Sequence, residues 1–202
     1  MRTERSAVDA AAVQRAALAL FAERGYRATT MADIGAAVGI RGPSLYRHVR
    51  SKQDLLVGIM TGTMQELLSR QADAVTAGGG AAQMVRRMVE AHVRFHAANQ
   101  AQAFVGNREI DNLEPGNRED LLVLRSRYEG VLRTVIADGM ATGAFTIRSA
   151  RLASYALLDM GIGVSAWFRP DGPHTADEIA YAYADYAGMM LGQRPVQPGE
   201  IT

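Results

Sequence analysis

The chain has no cysteine, a single tryptophan and only six prolines in 202 residues. Without cysteine there is no disulfide, no thiolate zinc site and no cysteine nucleophile. No apolar run approaches the ~18–20 residues of a membrane-spanning helix. The first residues, Met1-Arg-Thr-Glu-Arg-Ser6, are charged, and no signal-peptide apolar region follows them. The expected compartment is the cytoplasm, with no membrane partner. Net charge is also lacking, at +1. Absent too are a Gly-rich phosphate loop, a Gly-x-Ser-x-Gly elbow and a paired-carboxylate motif. Neither an enzyme nor a cofactor is expected.

What charge there is lies unevenly. Residues 1–55 carry nine basic groups against five acidic, a net of +4 that leaves the rest of the chain at −3. A basic head on a slightly acidic body points to a polyanion partner for the head alone. Apolar residues recur at helical rather than alternating spacing, so the predicted fold is all-α, with about nine helices. Val13, Ala16, Ala17, Leu20 and Phe21 mark one face of a first helix that stops near Gly25. A second runs from Met31 to Val38, with Thr30 as N-cap and Asp33 at the capping-box position. A third starts at Gly42-Pro43 and ends around His48–Arg50. Ser51 caps a long fourth helix that fades at Gly78-Gly79-Gly80. Further helices are expected over Ala82–Ala98, Gln102–Leu113, Asn117–Ala141, Ala150–Arg169 and Thr175–Leu191, separated by breakers such as Pro115-Gly116 and Pro170-Asp171-Gly172-Pro173. The expected domains are a three-helix helix-turn-helix at residues 1–52, a helical bundle at 53–194 and a frayed tail at 195–202.

The joint between the second and third helices is the informative feature. Val38-Gly39-Ile40 makes a tight turn between apolar anchors, and the third helix then carries Ser44, Tyr46, Arg47 and His48. A helix laid in the major groove of DNA needs apolar residues inward and short polar or basic ones outward. Ser51 and Lys52 open the next helix, where free N–H groups suit a phosphate. Taken alone, Tyr46 reads as core and Arg27 or Arg50 as solvated charge; the constellation in order is what points to DNA. Arg2 and Arg5 admit two readings, a minor-groove arm or an unstructured terminus.

Over residues 8–56 the sequence resembles the TetR family of bacterial repressors. The resemblance runs through Phe21-Ala-Glu-Arg-Gly-Tyr-Arg-Ala-Thr-Thr30, Ile34-Gly-Ala-Ala-Val-Gly-Ile40, Ser44-Leu-Tyr-Arg-His-Val49 and Ser51-Lys-Gln-Asp-Leu55. Most members carry Phe where Val49 stands and alanine where Gly35 stands, the latter a cost of ~1 kcal/mol to the helix. The resemblance implies phosphate contacts from Thr30, Tyr46, His48 and Lys52. It places Arg41, Gly42, Pro43, Ser44 and Arg47 against base edges, with Arg47 reading a guanine. It also implies a repressor that binds a palindromic double-stranded operator as a homodimer and is released by a small, largely apolar or amphipathic effector. An activator, or a regulator without a small ligand, is the alternative within the class. Gly106–Arg118 and Trp167–Thr175 resemble a subgroup responsive to acyl-CoA, which adds acyl-CoA to the effector classes. Leu152–Ala166 contains no basic residue to neutralise a CoA diphosphate.

Small residues recur along the last two helices, at Ala176, Ala180, Ala184 and Gly188 and at Ala153, Ala156, Gly161, Gly163, Ser165 and Ala166. They fit a close-packed interface between subunits, or packing within the chain. The predicted effector-binding residues are Met64, Met88, His92, Phe95, Phe104, Leu124, Arg125, Tyr128 and Trp167, a Met-rich set suited to an adaptable apolar cavity. His92 and His96, at i and i+4, also have metal-ligand spacing. Val93 stands where a zincin would carry glutamate, so a metal-dependent hydrolase is the weaker reading and no metal is expected.

Overall fold

The structure, a computed structural model, describes residues 9–40 and 42–193. Arg2, Arg5, Arg41 and the tail from residue 195 lie outside the described residues. Among the described residues nine α-helices follow in order: α1 (Ala10–Arg24), α2 (Met31–Ala37), α3 (Gly42–Leu45), α4 (Lys52–Thr76), α5 (Ala81–Ala98), α6 (Gln100–Arg108), α7 (Pro115–Ala141), α8 (Ala150–Trp167) and α9 (Ala176–Met190). A 3₁₀ turn, Ile110–Asn112, stands between α6 and α7, and no strand occurs among the described residues. No described helix is long and apolar enough to cross a membrane.

The caps explain several boundaries. The Asp9 carboxylate accepts from the Ala12 amide at 2.6 Å and starts α1. Ser51 Oγ accepts from the Asp54 amide at 3.0 Å at the start of α4. Thr175 and Glu178 form a reciprocal capping box at α9. Two expected helices are shorter than their periodicity suggests. α3 stops at Leu45 and continues as a turn, in which the Arg47 and His48 amides bond the carbonyls of Ser44 and Leu45, three residues back. The helix expected over Gln102–Leu113 breaks after Arg108, where the Glu109 side chain turns to the distant Tyr26 amide and to Asn112 three residues on.

The chain packs as two compact units. The first comprises residues up to Met64 together with Ala101–Val123, and the second comprises Gln65–Gln100 together with the chain from Leu124 onward. In the first, α1 packs on α2 and α2 on α3. Their inward faces bury Val13, Ala17 and Phe21, then Ile34 and Leu45. In the second, α5 is central and lies against α8 and α9. Val85, Val89 and Val93 of α5 share a buried cluster with Leu157 and Val164 of α8 and with Ala180, Ala184 and Ala187 of α9.

That packing decides between two sequence readings. Ala180 and Ala184 of the small-residue stripe, which fitted either a subunit interface or packing within the chain, are both buried inside their own chain. Small side chains here let α9 approach α5. The faces of α8 and α9 left open carry large apolar groups instead, among them Leu152, Tyr155, Tyr186 and Met189. Replacing Ala184 by leucine should therefore overpack the α5–α9 contact and lower stability by ~1–3 kcal/mol. Urea unfolding measures it, and an unchanged midpoint would contradict the assignment.

Candidate functional site

The first unit builds a surface from a short segment with its ends fixed. Thr30 caps α2: its hydroxyl accepts from the Asp33 amide at 3.1 Å, and the Asp33 carboxylate accepts from the Thr30 amide at 2.8 Å and hydroxyl at 2.6 Å. Those bonds, the side-chain one foremost, hold the Asp33 carboxyl below its usual range. α2 closes at Val38, and Gly39 then takes φ +73°, a left-handed conformation that glycine adopts without strain. The Ile40 amide returns to the Gly35 carbonyl at 2.9 Å and completes the turn into α3. Leu45 points inward and is fully buried, while Ser44, Tyr46 and Arg47 are exposed and His48 is half-buried. Tyr46, at 56% exposure, is not a core residue. Gly42 and Pro43 form the first turn of α3.

The loop between α1 and α2 is tied down by side chains far away in sequence. Lys52 Nζ donates to the carbonyls of Tyr26 at 2.8 Å and Thr29 at 2.7 Å, and lies 4.2 Å from the centre of the Tyr26 ring. Glu109, buried, accepts from the Tyr26 amide at 3.2 Å and from the Asn112 side chain at 2.5 Å. Asn112 in turn accepts from Arg27 Nε at 2.7 Å. The Tyr26 hydroxyl is hydrogen-bonded to the Gln53 amide at 3.0 Å. Lys52 was singled out in the sequence as a phosphate contact. Here two of its three N–H donors serve the fold. Glu109 and Asn112 escaped the sequence reading as individual residues. Their only trace was the run Gly106–Arg118, whose partners lie more than eighty positions away.

Among the predicted effector residues, Met88, His92 and Tyr128 come together in the second unit. With Gln71, Val89, Leu132, Leu157 and Leu158 they line a cavity of about 10 Å³, room for about one water. His92 Nδ1 lies 2.9 Å from the Tyr128 hydroxyl and Nε2 lies 3.1 Å from the Leu158 carbonyl. Burial pushes the His92 pKa down to about 4 and that of His96 to about 3, the latter aided by the adjacent His92. Both rings are neutral near pH 7. Burial also raises the Tyr128 pKa. Leu124 and Arg125 are half-buried on α7, in the same unit but not on the cavity wall. Phe95 is buried beside His96, and Arg70 lies over its ring. Three further predicted residues are not on the cavity wall either. Met64 and Phe104 belong to the first unit, where Phe104 stacks with Arg108. Trp167 is half exposed at the end of α8. Both of the exposed aromatics sit on outward faces of their helices, which apolar character alone does not reveal. No third metal-ligand side chain stands with His92 and His96 among the described residues, and both His92 nitrogens are already engaged.

Lys52→Met keeps the aliphatic stem and removes the ammonium, leaving the Tyr26 and Thr29 carbonyls without that donor. It should lower the stability of the first unit by ~1–3 kcal/mol. Amide hydrogen exchange in α1 and α2 measures the loss, and unchanged protection would show the two bonds to be dispensable.

Comparison with known proteins places this geometry. Residues 14–59 match the family described as bacterial regulatory proteins, tetR family, and residues 78–191 match the tetracyclin repressor-like C-terminal domain. The HTH-type transcriptional repressor KstR2 of Rhodococcus jostii (strain RHA1) is 30% identical over 172 residues, which are 83% of each chain. A crystal structure of a tetR-family regulatory protein from Rhodococcus RHA1 is 29% identical, with a TM-score of 0.87, covering 94% of this chain and 100% of that one. The crystal structure of AibR in complex with isovaleryl coenzyme A and operator DNA is 23% identical, with a TM-score of 0.79 over 92% of this chain and 99% of the other. At that identity the last likeness speaks to fold. With a C-terminal match spanning more than half of its length and a helix-turn-helix match at its head, the chain belongs to the TetR family of bacterial transcriptional regulators.

Proposed function

We propose that the chain is a dimeric operator-binding repressor, cytoplasmic with its DNA, that is released when a small, largely apolar or amphipathic effector enters the second unit. The observation that carries the reading is the segment Thr30–Lys52. A capped helix, a glycine turn and a short helix bury Leu45 and turn Ser44, Tyr46 and Arg47 to solvent. In this reading residues 1–52 are the DNA-binding module. Arg41, Gly42, Pro43, Ser44 and Arg47 face base edges. Thr30, Tyr46, His48 and the third N–H of Lys52 contact phosphates. The relative KstR2, named a transcriptional repressor, supports repression.

Residues 53–194 hold the effector and the dimer contacts. The cavity beside Met88, His92 and Tyr128 must open to admit an effector, and the unbranched Met88 side chain is suited to yield. AibR was crystallised with an acyl-CoA, so an acyl chain is the effector class to test first. A CoA diphosphate would need its cations from outside Leu152–Ala166, which has none. Helix α4 offers the route to the head: Lys52 stands in its first turn, and its later turns belong to the second unit. A decisive shift between bound and released states requires ~5.5 kcal/mol of differential effector affinity.

A duplex selected from a randomised pool supplies the operator. Arg47→Ala should weaken binding to that duplex by ~5- to 100-fold while leaving random DNA little changed. Fluorescence anisotropy measures both. Equal losses on both duplexes would assign Arg47 to phosphate instead. Titration of acyl-CoA into the preformed complex tests release, and operator affinity unchanged by a ligand that demonstrably binds would refute it.

The dimer is proposed to form through the open faces of α8 and α9. Leu152, Tyr155, Ala156, Gly163 and Ala166 share one face of α8, and Tyr186, Met189 and Met190 project from α9. Exposed large apolar groups of this density mark an interface. The double variant Leu152→Asp, Met189→Asp should sediment as a folded monomer where the native chain sediments as a dimer. A variant that remains dimeric would move the interface elsewhere.

A further inference from the structure

Buried polar groups in folded proteins nearly always have a hydrogen-bond partner, and the core of the second unit contains one that has none. His96 is 4% exposed, and neither of its ring nitrogens has a partner. The histidine one turn earlier is the opposite case. A carbonyl only accepts, so His92 Nε2 carries the proton and donates to Leu158 at 3.1 Å. In a neutral ring Nδ1 is then the acceptor, and it receives the Tyr128 hydroxyl proton at 2.9 Å. Gly161 makes room for this ring. A methyl group at that position would come within 2.2 Å of His92 Cδ2.

His96 packs edge-on against that fixed ring, with centroids 4.4 Å apart and planes at 71°, and Phe95 stands edge-on to His96 at 5.4 Å. One imidazole is thus locked in tautomer and orientation, and beside it the second presents an unused donor and an unused acceptor. Protonation does not relieve the mismatch, because burial and the adjacent His92 oppose a charge on His96. A carboxylate brought here would lose its water while Arg70, the cation over the Phe95 ring, is already paired with Glu66. A neutral oxygen meets the need without that cost. His96 is not on the wall of the cavity that His92 and Tyr128 line with Met88, Val89, Leu132, Leu157, Leu158 and the Gln71 side chain; its ring contact with His92 places it next to that lining, which is suited to an apolar body.

We infer that His92, His96 and Tyr128 form the polar end of an effector site, whose ligand seats a neutral hydrogen-bonding oxygen on His96 and lays an apolar body against the cavity wall. The oxygen is that of a ketone, ester or thioester carbonyl, or of a hydroxyl. His96 is the recognition group, and His92, held by Tyr128, Leu158 and Gly161, fixes its position. The inference rests on the proposal that an effector enters the second unit.

Four probes of similar size test it on the full chain: methyl hexyl ketone, octanol, octanoate and propylbenzene. The ring-nitrogen resonances of isotope-labelled histidine report on each imidazole separately. The ketone or the alcohol should move the His96 resonances while His92 keeps its tautomer, and the two probes distinguish carbonyl from hydroxyl. Binding should weaken by about 5- to 10-fold in His96→Phe, the loss of one hydrogen bond, and recover in part in His96→Gln. Propylbenzene and octanoate should not discriminate between the native chain and His96→Phe. Equal binding of the oxygen probes to both chains would overturn the proposal. So would His96 resonances that no probe moves, a test that stands even where His96→Phe does not fold. Operator release by an apolar ligand with His96 unmoved would refute this site and leave the repressor reading intact. Oxygen-dependent binding at His96 with no release would do the reverse.

Discussion

The first unit depends on how the main chain between α1 and α2 is satisfied. A loop of that length leaves carbonyls and amides that neither helix can use, and a buried polar group without a partner costs stability. Here the Lys52 ammonium takes the Tyr26 and Thr29 carbonyls, and the Glu109 carboxylate takes the Tyr26 amide. The two groups are a charged donor and a charged acceptor, which make the stronger class of hydrogen bond. Together they fix the residue run that leads directly into the Thr30 cap, and so the start of α2. The recognition surface inherits its geometry from this arrangement, because the turn at Gly39 and the short α3 follow within fifteen residues.

The sequence displayed the parts of this unit that act over short range. Thr30 and Asp33 are three residues apart, the spacing at which a capping box closes, and the structure closes it. Gly39 between two apolar residues announced a turn and stands at positive φ. Long-range roles were hidden. Lys52 looked like a surface cation waiting for phosphate because its carbonyl partners lie some twenty-five positions away. Glu109 sat inside what periodicity drew as one helix, and its bond to the distant Tyr26 amide was not legible there. The third helix was drawn too long for a related reason: apolar spacing does not distinguish an α-helical turn from the tighter turn that follows Leu45.

The second unit shows the same division. Helix content and most boundaries were legible, since caps and breakers act locally. Which face meets which partner was not. Ala180 and Ala184 fit both a subunit interface and an internal contact, and small size is what either requires. The structure puts them against α5 and leaves Leu152, Tyr155, Tyr186 and Met189 in the open. For the cavity, Met88, His92 and Tyr128 were identified by chemistry and come together. Gln71 and Gly161 were missed, since nothing in a lone glutamine or glycine predicts a tie to a main-chain carbonyl or a seat for an imidazole ring. Phe104 and Trp167 were chosen by the same chemistry and lie outside the group.

Membership of the TetR family and the exposed Ser44, Tyr46 and Arg47 support the proposed sequence-specific DNA binding by a symmetric pair of heads. Footprinting on a selected duplex tests that claim most directly. The account predicts two protected, inverted half-sites whose centres lie one helical turn (~34–36 Å) or a small multiple of it apart, with stoichiometry of whole dimers. Protection of a single half-site, or uniform protection without sequence preference, would contradict it.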